Sequence, residues 1–75
     1  MNKQIDDIRK KYGEPMLRMA IDHIIGVGTN NLKNVSADEV CVRILKETPA
    51  NSIMTPEFSA ELMRCAIELS QIAIG

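Results

Sequence analysis

The chain has 75 residues, of which 45% are hydrophobic and 25% charged, and its formal net charge is −1. These values suit one small globular domain spanning residues 1–75, and they exclude proteins whose global positive charge attracts DNA or an anionic membrane. Folding buries only about 60% of the unfolded surface in so short a chain, so the core alone supplies about 3–5 kcal/mol.

The cysteine content and the N-terminal composition indicate a reducing compartment. Cys41 and Cys65 are the two cysteines, and the first residues contain no apolar segment of the secretory type. No apolar run approaches the ~18 residues that a membrane span requires. We therefore expect a cytoplasmic protein without structural disulfides and without membrane association.

The hydrophobic residues are almost all aliphatic. Aromatic residues make up 3% of the chain, as Tyr12 and Phe58, whereas methionine occurs five times. So few aromatic side chains argue against binding of nucleic-acid bases by stacking. Methionine-rich aliphatic surfaces instead favour helix packing and adaptable contacts.

The first two predicted helices meet at Gly13. Apolar residues recur at helical spacing over residues 3–12, at Ile5, Ile8 and Tyr12. We expect Gly13 to end this helix in the left-handed conformation and Pro15 to begin the next, which runs to about Ile25. A continuous helix kinked at Pro15 is the alternative. The segment that starts at Gly26 ends the second helix.

The third predicted helix has the sharpest start signal in the chain. Ser36 and Glu39 have the spacing of a capping box, in which each side chain accepts from the other residue's backbone N–H. Val35 and Val40 have the spacing of a hydrophobic staple. The helix should run to about Glu47, because the Thr48-Pro49 step that follows disfavours helix.

The fourth predicted helix has Thr55 as its N-cap and Pro56 as its first residue, and it extends to about Ile74. The periodicity is helical along the whole chain, with no alternating pattern of a half-buried strand. The sequence therefore predicts an all-α fold, a compact bundle of three to four short helices completed by oligomerisation.

Wide apolar arcs are the reason for expecting oligomerisation. Beside its main apolar stripe, each of the last three helices carries a second one, and one small core cannot cover them all. The third helix carries Val42 and Leu45 in this way. We expect a homo-oligomer, most simply a dimer, whose interface uses the second stripes of the second and fourth helices, namely Leu17, Ile21, Ile24, Met63, Ile67 and Ile74. A four-helix monomer whose central helices are buried on several sides is the alternative.

The residues that could take part in catalysis or ligand binding form no catalytic or metal-binding pattern. His23 is the only histidine, and no serine or cysteine stands in a motif with it. Cys41 and Cys65 lack the spacing of a zinc site and fall on apolar faces. The glycines of the segment 26–28 follow a helix, which indicates a helix end rather than a phosphate-binding loop. We expect no enzymatic activity, no metal and no cofactor.

Nucleic-acid binding is the alternative function with a named set of residues. The basic side chains of the N-terminal segment are its candidate contacts, namely Lys3, Arg9, Lys10, Lys11 and Arg18. A helix-turn-helix motif formed by the third and fourth helices is disfavoured, because residues 48–55 make a connection about twice the usual three or four residues. The favoured function is a self-associating helical interaction module that acts as a regulator, adaptor or inhibitor of another macromolecule, with a protein as the expected partner. A small-ligand pocket at an oligomer interface is a third possibility.

Overall fold

The computed structural model describes residues 3–27, 34–48 and 55–72. Its four helices are α1, Lys3–Tyr12; α2, Glu14–Gly26; α3, Ala37–Glu47; and α4, Pro56–Ser70. No residue of the described ranges lies in a β-strand. The predicted all-α bundle is confirmed.

A full break at Gly13 separates α1 from α2. Gly13 has φ 95° and ψ 156°, a backbone conformation that only glycine adopts readily, and it differs from the left-handed helical conformation that we expected. Its N–H donates to the Arg9 carbonyl at 2.8 Å, and its carbonyl accepts from the Leu17 N–H at 3.0 Å. Gly13 therefore takes part in the last helical hydrogen bond of α1 and in the first of α2. Pro15 lies in the first turn of α2, where its missing N–H costs nothing, so the kinked-helix alternative is wrong.

Side-chain caps start α3 and α4, as the sequence predicts. The Ser36 hydroxyl oxygen accepts from the Glu39 N–H at 3.5 Å, and the Thr55 hydroxyl oxygen accepts from the Phe58 N–H at 3.1 Å. The second half of the capping box is missing, because the Glu39 carboxylate makes no hydrogen bond within the described part of the chain. That carboxylate therefore lies free at the exposed start of α3.

The helix α4 ends at Ser70, before the predicted end at Ile74. The Ser70 hydroxyl donates to the Ile67 carbonyl at 2.8 Å. The N–H groups of Gln71 and Ile72 donate to the carbonyls three residues before them, at 3.3 and 3.1 Å. This tightening of the last turn is a common helix ending. Ile74 lies outside the described residues.

The centre of the bundle is α4, which packs against each of the other three helices. The side chains that it buries completely are Leu62, Cys65, Ala66 and Leu69. The other helices meet it with their main apolar stripes, at Ile8, Met16, Ala20, Val40 and Ile44. None of the helices in the described ranges has the length and hydropathy needed to cross a bilayer.

The second stripe of α2 lies largely inside this core. Leu17 is 2% exposed and Ile24 is fully buried, and Ile21 packs against the core from its edge. The sequence assigned these residues to a contact with another chain. They are instead covered within one chain, because α1, α3 and α4 surround α2 and together bury more than one stripe of it. For α2, the single-chain alternative describes the packing.

Candidate functional site

Among the described residues, the large apolar side chains most exposed to solvent lie on α3. Val42 and Leu45 are each 63% exposed in the described structure, and they neighbour each other one helical turn apart. Their position on the helix is roughly opposite the buried Val40 and Ile44. Exposure on this scale leaves most of each side chain in water.

Charged residues flank this apolar pair on both sides. Asp38 and Glu39 lie in the first turn of α3 and Lys46 lies in the last, an arrangement that complements the helix dipole. No ion pair within the described ranges involves any of these three side chains. We call this surface the α3 outer face, comprising Asp38, Glu39, Val42, Leu45 and Lys46.

The predicted interface stripe on α4 is only partly open. Met63 is half-buried and packs against the core, and Ile67 is half-buried at the edge of the helix. Ile25, at the end of α2, is 49% exposed. The described members of the α4 stripe, Met63 and Ile67, are therefore less exposed than Val42 and Leu45.

A polar cluster ties the end of α2 to α3. The Arg43 guanidinium donates from Nη1 to the carbonyls of His23 and Asp22, at 2.9 and 3.3 Å. Its Nη2 also donates to Oε1 of Glu47 at 3.1 Å, and its Nε lies 2.9 Å from Oε2 of the same carboxylate in a salt bridge. Because the last carbonyls of a helix lack partners within the helix, Arg43 acts as a C-terminal cap supplied by a different helix.

His23 is the titratable side chain of this cluster. Its Nδ1 lies 3.1 Å from Oε2 of Glu47 but is not directed for a hydrogen bond, and it has no hydrogen-bond partner among the described residues. Burial lowers the pKa of His23, although the Glu47 carboxylate opposes that shift. The ring is therefore mainly neutral near pH 7. The described ranges contain no group of three or more His, Cys, Asp or Glu residues that could hold a metal ion.

Acidic side chains of the same chain neutralise much of the basic N-terminal segment. Arg9 pairs with Asp6 at 2.7 Å and with Glu14 at 2.6 Å. Arg18 pairs with the same Glu14 at 3.3 Å.

Of the remaining basic residues of that segment, one lies beside a carboxylate and two have no ion pair among the described residues. Lys11 lies 3.3 Å from Glu68 on α4. Lys3 and Lys10 are exposed and have no ion pair in the described structure. These lysines are the part of the predicted nucleic-acid contact that remains available to a phosphate.

The two cysteines differ in their surroundings. Cys65 is fully buried in the core, and burial raises its pKa to about 11. Cys41 is half-buried, and its pKa is raised by burial and by the nearby Asp38 carboxylate. The expectation that both thiols lie on covered faces therefore holds fully for Cys65 and only in part for Cys41.

Two features of the structure were not predicted from the sequence. The sequence indicates a second apolar stripe on α3, but the expected interface does not include it, although Val42 and Leu45 fall far from Val40 and Ile44 on a helical wheel. That separation was the available signal. The contact of Arg43 with the end of α2 had no local signal, because it depends on how two helices cross.

Comparison with known proteins found no matching family model, no matching curated protein and no matching solved structure.

Proposed function

We propose that this chain is a non-enzymatic protein-interaction module that self-associates, and that the α3 outer face is its contact surface. The observation that carries the proposal is the 63% exposure of both Val42 and Leu45. Removing such a side chain from water contributes about 1–2 kcal/mol when part of it is already covered. A symmetric contact uses each residue twice, so the four side chains together favour self-association by about 4–8 kcal/mol before the entropic cost of bringing two copies together.

The surroundings of the two potentially reactive side chains, His23 and Cys65, support a role without catalysis. His23 is largely enclosed, its backbone carbonyl is occupied by Arg43, and burial lowers its pKa. The Cys65 thiol, with its pKa raised to about 11, is a poor nucleophile. These side chains stabilise the bundle and leave the α3 outer face as the surface with unused binding capacity.

The charge distribution favours a protein partner over nucleic acid. Arg9, Arg18 and Lys11 are already paired with carboxylates of the same chain. Phosphate binding at these positions would have to compete with those pairs, and the net charge of −1 adds no general attraction. Lys3 and Lys10 alone offer two positive charges for contact with a nucleic-acid backbone.

Sedimentation velocity on the wild-type chain from low to high micromolar concentration tests the proposal. We expect concentration-dependent association, and we expect Leu45→Glu to abolish it by placing a carboxylate in an apolar contact. The control is Arg64→Glu, a larger charge change at an exposed position on α4. Circular dichroism confirms that both variants keep their helices. A wild-type chain that stays monomeric at high micromolar concentration would overturn the proposal.

A further inference from the structure

We propose that α3 pairs in an antiparallel arrangement with α3 of a second copy, about a two-fold axis beside Val42, with Glu39 of each copy facing Lys46 of the other. This pairing depends on the proposed self-association and specifies its geometry. Three features carry it: the exposed Val42 and Leu45, the charges of Glu39 and Lys46 without an ion pair among the described residues, and the spacing of these charges along the helix.

Helix geometry places the two charges on one side of Val42. Glu39 and Lys46 are seven residues apart. On an α-helix that spacing returns to the same face within about 20° and spans about 10 Å along the axis. The midpoint between them is level with Val42, so a perpendicular two-fold axis there places each Glu39 beside the opposite Lys46. One contact thus contains two equivalent ion pairs.

The same two-fold axis brings the apolar residues of the two copies together. Val42 lies next to the axis and meets Val42 of the second copy. Leu45 lies on the other side of Val42 from Glu39 and Lys46, one turn from the half-buried Cys41. Leu45 of each copy therefore reaches across the axis toward Cys41 and Val42 of the other. Glu39 and Lys46 lie at one edge of this apolar contact, and the exposed Asp38 lies beside Leu45 at the other.

The charges decide against a parallel pairing. Parallel α3 helices in register place Glu39 against Glu39 and Lys46 against Lys46, which is repulsive at both ends. They also align the two helix dipoles in the same direction. Because neither Glu39 nor Lys46 has an ion-pair partner within the described residues, the antiparallel arrangement forms its salt bridges without breaking any present in the single chain.

Charge reversal tests the pairing directly. We expect Glu39→Lys and Lys46→Glu each to weaken self-association about tenfold, since each turns two attractions into two repulsions. The double variant restores attraction with the signs exchanged, and we expect its Kd to return to within about threefold of wild type. The matched control is Asp38→Lys. Asp38 is one residue from Glu39 but lies on the Leu45 side, so Lys46→Glu should not rescue it.

Disulfide trapping tests the position of the axis. In a Cys41→Ala background, Val42→Cys places two thiols beside the axis, and mild oxidation should link the copies. Lys46→Cys is the control, because its two thiols lie about 10 Å apart along the helices. Cys65 can remain, since it is fully buried.

The outcomes separate this pairing from the proposed function. A wild-type chain that associates and is dissociated by Leu45→Glu, but whose charge-reversed double variant stays weak, contradicts the antiparallel pairing and leaves self-association intact. Faster linkage through Lys46→Cys than through Val42→Cys contradicts it as well. A monomeric wild-type chain overturns both.

Discussion

The Arg43 guanidinium on α3 donates from Nη1 to the backbone carbonyl of His23 at 2.9 Å, and so caps a helix to which it does not belong. Glu47, one turn further along α3, holds the same guanidinium through both carboxylate oxygens. The result is a fixed polar link between the end of α2 and one side of α3. This link sets which side of α3 turns away from the bundle, and Val42 and Leu45 lie on that side.

Replacing Arg43 should therefore cost stability. We expect Arg43→Met to lower the free energy of unfolding by about 1 kcal/mol, because the last carbonyls of α2 lose a charged donor while the aliphatic stem is kept. Urea denaturation measures the change. The control is Arg64→Met on α4, since Arg64 is exposed and has no ion pair in the described structure. Equal effects of the two substitutions would show that Arg43 contributes nothing as a cap.

Gly26→Ala should be destabilising, against the usual helix preference for alanine. A Cβ at Gly26 would lie 0.9 Å from Nη1 of Arg43, so the guanidinium must leave the end of α2. We expect a net loss of up to about 1 kcal/mol in the wild-type chain, since the lost cap outweighs the gain in helix preference. In the Arg43→Met background, the same substitution should be neutral or stabilising by up to about 1 kcal/mol. A double-mutant cycle by urea denaturation gives this coupling, and additive effects would contradict it.

The folded protein should lose stability as the pH falls below the ordinary His23 pKa of 6.5. Burial lowers that pKa in the native state, so below pH 6.5 the unfolded chain binds a proton that the native chain does not. The loss continues until the pH reaches the lowered native value. Urea denaturation between pH about 7.5 and 5 measures it, and His23→Gln should flatten the profile in this range.

A proton NMR titration gives an independent check, since the chain has a single histidine. A His23 pKa at or above its ordinary value would contradict the expected direction. Acid sensitivity below the ordinary carboxyl pKa of 4.5 has a separate origin, because Arg43 lowers the pKa of Glu47.

Tyr12→Phe should weaken the contact between α1 and α4. The Tyr12 hydroxyl donates to Oε2 of Glu68, and this hydrogen bond is the main reason that the Glu68 pKa is lowered. We expect a loss of about 0.5–1 kcal/mol at neutral pH and a rise of the Glu68 pKa toward 4.5. Glu68 then contributes less stability above pH 4.5. Carbon-13 NMR titration of the carboxyl group measures the pKa, and an unchanged value would contradict the assignment.

The two thiols should differ in reactivity. We expect an aromatic disulfide reagent to modify Cys41 in the native protein and to modify Cys65 only as the chain unfolds. Cys65 is fully buried with a pKa raised to about 11, whereas Cys41 is half-buried. Cys41→Ala should remove the faster phase and leave the slower one. Equal native rates would mean that the core around Cys65 opens readily.

The sequence by itself determined where α3 and α4 begin, and it placed the junction of α1 and α2 at Gly13 while leaving a continuous helix kinked at Pro15 as the alternative. Ser36 and Thr55 cap backbone N–H groups three residues away, and Gly13 accepts a conformation that other residues resist. These signals are local, since they act within about one helical turn. Together with the helical periodicity, these signals were enough to predict the fold class and most of the helix boundaries.

The tertiary structure decided which apolar stripes face inward. Leu17 and Ile24 were expected at a contact with another chain, but α2 is enclosed by three neighbours and buries both of them within one chain. Val42 and Leu45 remained outside because α3 lies at the edge of the bundle and is fixed there by Arg43. The rotation of a helix about its axis depends on contacts with residues distant in sequence, and no pattern within one turn records them.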